Sequence, residues 1–145
     1  MRTIDLSAVI LLGACALAIG CSPKPQSPPS PSPAAVLESI PAVDPAHYQL
    51  NRDAKNWQNP YLVVRPDGIG LVDLKNSEIL ILKPEQVPDA LAKLPRSAWP
   101  YGRVVAVAEN SKNDSEQDHA LMRKNRAILA GTLQSLQILI HWIQS

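Results

Sequence analysis

The sequence predicts an α/β (α+β) two-layer sandwich, a mixed sheet of four to five strands carrying two helices, and three observations lead there. Residues 61–65 and 69–74 are β-branched or alternating aliphatic runs joined by the turn signature Pro66-Asp67-Gly68, which reads as a hairpin. Residues 103–109 are aliphatic with no polar alternation, the pattern of a central strand covered on both faces. Two segments whose apolar residues recur at helical spacing, 84–94 and 115–136, interleave with the strands. Helices in that order pack on the sheet, with right-handed crossovers wherever neighbouring strands run parallel.

In chain order, Tyr61-Leu62-Val63-Val64-Arg65 opens the sheet and Ile69-Gly70-Leu71-Val72-Asp73-Leu74 returns beside it. Lys75-Asn76 turns the chain into a further short strand, 77–82. Pro84 then starts a helix over 84–94, since proline is pre-organised for a first helical turn. Val87, Leu91 and Leu94 share one face of it, and Pro88 falls early enough for its missing N–H to matter little. The strand 103–109 follows a linker bounded by Pro95 and Pro100. Asp114 or Ser115 caps the long helix 115–136, with Asp118 near the third position of a capping box. Met122, Leu129, Leu133 and Leu136 form its apolar stripe, joined by Leu121 and Ile128, and residues 138–143 make the last strand.

Three stretches of this domain resemble the periplasmic domain of the ExbD/TolR biopolymer-transport family. They are Leu62-Val63-Val64-Arg65-Pro66-Asp67-Gly68, Pro84-Glu85-Gln86-Val87-Pro88-Asp89-Ala90-Leu91 and Pro100-Tyr101-Gly102-Arg103-Val104-Val105, within about residues 60–143. The resemblance implies that family's fold and an accessory place in a biopolymer-transport complex. It does not imply the proton-driven motor, whose buried membrane Asp has no counterpart, because Asp5 precedes the apolar run instead of lying inside it.

The N-terminus reads as an address. From Leu6 to Gly20 the chain is uncharged, about 22 Å as a helix and too short for the roughly 30 Å hydrocarbon core, so a signal peptide over 1–20 fits better than a membrane span. Leu17-Ala18-Ile19-Gly20-Cys21 resembles the lipobox of bacterial lipoproteins. That resemblance implies cleavage after Gly20, a diacylglyceryl thioether on Cys21, and acylation of the new amine. Leu12-Gly13-Ala14-Cys15 has a similar form, but using Cys15 would shorten the apolar core and leave signal-like residues in the mature chain. Several acyl chains anchor stably where one does not. Ser22 after the anchor cysteine points to the outer membrane rather than the inner one. The folded part then holds no cysteine, which excludes disulfides and thiol chemistry there.

Behind Cys21, eight of the chain's fourteen prolines crowd into residues 22–45. Proline removes backbone donors and restricts its predecessor, so this stretch is expected to be a polyproline II tether. At about 3.1 Å per residue it would hold a domain of residues 46–145 up to roughly 70 Å from the bilayer.

Site chemistry is sparse. His47, His119 and His141 are scattered without ligand spacing, so no metal is expected, and no Gly-rich phosphate loop or nucleophile elbow points to a cofactor or a catalytic residue. Fourteen Lys and Arg against thirteen Asp and Glu argue against nucleic acid, which demands a concentrated basic face. Trp99 and Tyr101 are either docking aromatics or part of the core. The one constellation with ligand chemistry is Glu109, at the end of a strand, with Arg123 and Arg126 on the next helix. Met122-Arg123-Lys124-Asn125-Arg126-Ala127 resembles the helix of OmpA-like peptidoglycan-binding domains, which implies a grip on a diaminopimelate group. A solvated basic helix face accounts for the same residues. The expectation is a lipid-anchored, non-enzymatic binding or assembly module of the bacterial envelope, with a protein or peptidoglycan as its partner and oligomers within reach.

Overall fold

The computed structural model describes residues 29–49, 51, 54–110 and 115–143. Its fold is α+β, built on a mixed five-stranded sheet. The strands are β1 (Tyr61–Arg65), β2 (Gly68–Asp73), β3 (Glu78–Leu82), β4 (Val104–Glu109) and β5 (Leu139–Trp142), in the spatial order β3-β2-β1-β4-β5. β1, β2 and β3 form an antiparallel meander, whereas β1, β4 and β5 run parallel. Each strand falls within about a residue of its sequence-based range. Ser77, expected in β3, instead turns into it with φ 57°, and Asp73 ends β2 by accepting the Lys75 N–H at 2.9 Å.

Three α-helices are described: α1 (Pro33–Glu38), α2 (Val87–Ala92) and α3 (Glu116–Ser135). The helix expected over 84–94 begins as a 3-10 turn, Pro84–Gln86, before α2. Pro88 has no N–H to give to the Pro84 carbonyl four residues back, so the first turn closes on shorter bonds. α3 has the expected capping box, the Asp118 N–H donating to Ser115 Oγ at 3.1 Å and the Ser115 N–H to Asp118 Oδ2 at 3.1 Å. Its other end is a Schellman motif. The Ile138 N–H donates to the Leu133 carbonyl at 2.9 Å and the Gln137 N–H to the Gln134 carbonyl at 3.0 Å, with Gln137 left-handed at φ 56°. Met122, Leu129 and Leu133 are buried as expected, while Leu121 lies off the stripe and is exposed.

α1 corrects the domain boundary. It lies inside the stretch expected to be tether, yet Leu37 is fully buried and Ile40 nearly so, both in the main core. The local reason is a capped start: Ser32 Oγ accepts the Ala35 N–H at 3.3 Å, and Pro33 occupies the first turn. The chain after α1 is stitched to the 96–103 loop, where Arg96 Nη2 donates to the Ser39 carbonyl at 2.7 Å and the Arg103 N–H to the Pro41 carbonyl at 3.0 Å. Gly102 permits that approach: at φ +78°, a Cβ there would lie 2.6 Å from the Ala42 oxygen. Among the described residues, the folded unit thus includes the chain from Pro33 on, ahead of the expected boundary at residue 46.

All three helices lie against one face of the sheet. Leu62, Val64, Ile69, Val105 and Val107 on that face pack with Leu37, Val87, Leu91, Leu129 and Leu133. Val104 and Ala106 point the other way, to a second core of Tyr48, Trp57, Tyr101 and Ile143. β4 is therefore covered on both faces, as its unbroken aliphatic run requires, but its second cover is an irregular strap within residues 43–60 instead of another helix. Trp57 stacks on His141, centroids 5.2 Å apart and planes 8° apart, and Tyr48 meets His141 edge-on at 5.3 Å. Asn59, 2% exposed, pins the strap: its Nδ2 donates to the Gly102 and Val104 carbonyls at 2.8 and 2.7 Å, and its Oδ1 accepts the Tyr101 N–H at 2.9 Å. Trp99 and Tyr101 are both buried, which assigns them to the core.

Candidate functional site

The carboxyl ends of parallel strands are where open α/β sheets place ligands, because the chain leaves there in separate directions and opens a crevice. Here β1 ends in Arg65, β4 in Glu109 and β5 in Trp142. α3 passes over the same end, held by Asn125, whose Nδ2 donates to the Arg65 carbonyl at 2.9 Å and the Pro66 carbonyl at 3.3 Å.

Of the three residues singled out from sequence, the structure unites two. Arg126 Nη1 lies 2.8 Å from Glu109 Oε1, and the Arg126 guanidinium sits 4.3 Å from the centre of the Trp142 ring. Arg123 turns to Glu116 instead, Nη2 to Oε1 3.1 Å, both well exposed. Arg123 therefore leaves the candidate site. The reason is geometric: a residue three positions along a helix is displaced by nearly a full turn's rise.

Trp142 was not foreseeable as a site residue from composition alone. The signal that finds it is the alternation of β5, which places Ile140 and Trp142 on the α3 side and His141 on the strap side. Magnitudes decide what the trio can do. An exposed ion pair contributes about 0–1 kcal/mol and an exposed cation–π contact about 0.5–1 kcal/mol. Arg126 is thus oriented but not locked, and a ligand carboxylate that engages it through two hydrogen bonds can compete for it. A zwitterion is the natural complement, its carboxylate at Arg126 and its ammonium at Glu109, with the half-exposed indole as a wall.

On the opposite face of the sheet at this end, Arg65 and Asp67 form a bidentate pair, Nε to Oδ1 2.8 Å and Nη2 to Oδ2 3.2 Å. The hydrogen bond from Arg65 holds the Asp67 carboxyl below its ordinary range, and the same bond raises Arg65. Both are ionised at neutral pH, so the pair braces the turn between β1 and β2 without moving a proton. Among the described residues, no three His, Cys, Asp or Glu side chains come together to hold a metal ion, and no helix is long and apolar enough to cross a membrane. Cys21 and the segment 1–20 lie outside the described residues.

The fold and rim define a small mixed-sheet α+β domain with a charged, tryptophan-backed patch at the carboxyl end of its parallel strands. No family model, curated protein or solved structure matches the chain.

Proposed function

We propose that the chain is a lipid-anchored protein of the bacterial cell envelope whose α+β domain is a non-enzymatic binding and assembly module. The observation that carries this reading is the lipobox-like Leu17-Ala18-Ile19-Gly20-Cys21 set directly ahead of a proline-rich run. A domain with a complete core from Leu37 onward supports it, because such a unit can be presented from an anchor without membrane support. With Pro33 already in the folded part, the spacer is at most residues 22–32, about 34 Å long at 3.1 Å per residue. Mass spectrometry of the mature N-terminus from bacterial membranes tests the anchor. An acylated Cys21 is expected, with loss of membrane attachment in Cys21→Ser; an intact Met1 or an unmodified Cys21 defeats the reading.

The 2.8 Å contact between Glu109 and Arg126 favours a more specific ligand, the zwitterionic diaminopimelate group of peptidoglycan. Sedimentation of the full chain with purified peptidoglycan is the test. Co-sedimentation is expected for the parent chain and for Arg123→Ala, with a large loss for Arg126→Ala and Glu109→Ala. Equal recovery of all four would remove peptidoglycan and leave the anchored module standing.

A further inference from the structure

Among the described residues, β3 is an edge strand paired with β2 alone. Its central residues Ile79, Leu80 and Ile81 are 48%, 56% and 40% exposed, on both faces of the sheet, and Leu74 beside them is 39% exposed. Natural edge strands carry charges, prolines or bulges to prevent pairing with other chains. β3 carries none of these between Glu78 and Lys83.

We propose that this edge is where two copies of the chain meet, β3 against β3, antiparallel, about a two-fold axis through Leu80. The proposal deepens the reading of the domain as an assembly module and rests on it. A two-fold axis normal to the sheet keeps like faces together, so only residues of the same face can stand opposite one another. With the axis at Leu80, each Ile79 faces Ile81 of the other copy and the two Leu80 side chains face each other. Moving the axis to Ile81 sets Lys83 against Ile79, and moving it to Ile79 sets Glu78 against Leu80 and Ser77 against Ile81. Only the Leu80 axis gives every exposed aliphatic side chain of β3 an apolar partner.

Charge selects the same arrangement. Asp73 and Glu78 are directly opposed across β2 and β3, a like-charge pair that costs stability, and Lys83 stands at the other end of β3. Antiparallel pairing brings the acidic end of each copy to the Lys83 end of the other. Parallel pairing would bring acid to acid. The contact is one strand per copy and belongs to the transient class below about 1,200 Å². Anchoring both copies in one membrane raises their effective concentration enough to populate it.

Cysteine crosslinking of the full chain in native membranes tests this. Directly opposed Cα atoms lie about 4.5–5.5 Å apart, within disulfide reach, whereas the offset Ile79 pair lies beyond it. Leu80→Cys is expected to yield several-fold more covalent dimer on oxidation than Ile79→Cys or than the parent chain, which reads any contribution of Cys15 and Cys21. Co-expressed Ile79→Cys and Ile81→Cys chains are expected to crosslink to each other. Equal dimer from Leu80→Cys and Ile79→Cys, or none above the parent, overturns the proposal. A photo-crosslinking side chain at position 80 separates the failures. An adduct of twice the chain mass supports self-pairing, an adduct with another protein overturns self-pairing but keeps the assembly module, and no adduct overturns both.

Discussion

Leu37→Ala tests whether α1 belongs to the folded unit. Leu37 is fully buried in the core shared by α1, α2, α3 and the sheet. Truncation removes three carbon groups, about 2.4 kcal/mol at 0.8 kcal/mol each. The space left adds to this: a residual cavity of roughly 50 Å³ costs a further 1.2 kcal/mol or so. The expected loss is therefore about 3–4 kcal/mol, inside the range of about 2–5 kcal/mol typical for buried leucines. That is a large part of the 5–15 kcal/mol that ordinarily holds a domain together. Urea unfolding followed by tryptophan emission reads it directly. With an m-value of about 1–3 kcal/mol per molar, the midpoint should fall by roughly 1–3 M. Glu38→Ala, one residue on and exposed, is the control and should leave the midpoint in place. If both variants unfold at the same urea concentration as the parent, α1 is not docked and the domain boundary returns to residue 46.

Asn59→Ala deprives one buried N–H and two carbonyls of their shared partner and is expected to cost about 3 kcal/mol in the same titration. Asn59→Asp should be destabilised increasingly as pH rises, because burial against two carbonyls keeps the new carboxyl protonated to higher pH in the folded chain than in the unfolded one. Gln137→Gly should stabilise by about 0.5–1 kcal/mol, since glycine occupies the left-handed position at the end of α3 without the side-chain penalty. The Asp67 and Asp118 carboxyls are held low, Asp67 by Arg65 and Asp118 by the Ser115 hydroxyl and N–H. A depressed folded pKa contributes stability above the unfolded value of about 3.9 that is lost as pH falls through the folded one. Replacing either by Asn should therefore flatten the acid limb of a Tm-against-pH curve and leave its neutral region nearly level.

The five strands were legible because each carries its own period. The 61–74 hairpin alternates around a turn signature, and the doubly covered β4 has no polar residue until Glu109. α3 announced itself through its cap and stripe. α1 was hidden by its company, since six residues between Pro31 and Pro41 contribute little periodicity against a proline-rich background. Ser32-Pro33 is a helix start, but only the distant partners of Leu37 distinguish it from another tether step. The strap was illegible for the same reason: Tyr48, Trp57 and His141 meet across more than eighty residues, and nothing local in any of them encodes the meeting. At the rim, pairing Glu109 with a basic residue on α3 was readable from strand-then-helix order. The choice of Arg126 over Arg123 depended on where along its length α3 crosses the strand ends, which only packing sets.

The positions of the three tryptophans give this chain built-in optical reporters. Trp57 and Trp99 are 2% and 4% exposed, and Trp142 is 43% exposed beneath Arg126. The two enclosed indoles emit to the blue and are shielded from iodide, so the quenchable red component belongs to Trp142 and follows whatever displaces Arg126. Trp57 lies flat on His141, and a stacked imidazole quenches an indole, so the brightness of Trp57 registers whether the strap is seated. One spectrum, resolved by quenching, separates events at the rim from loosening of the strap on the opposite face of the sheet, with no label added.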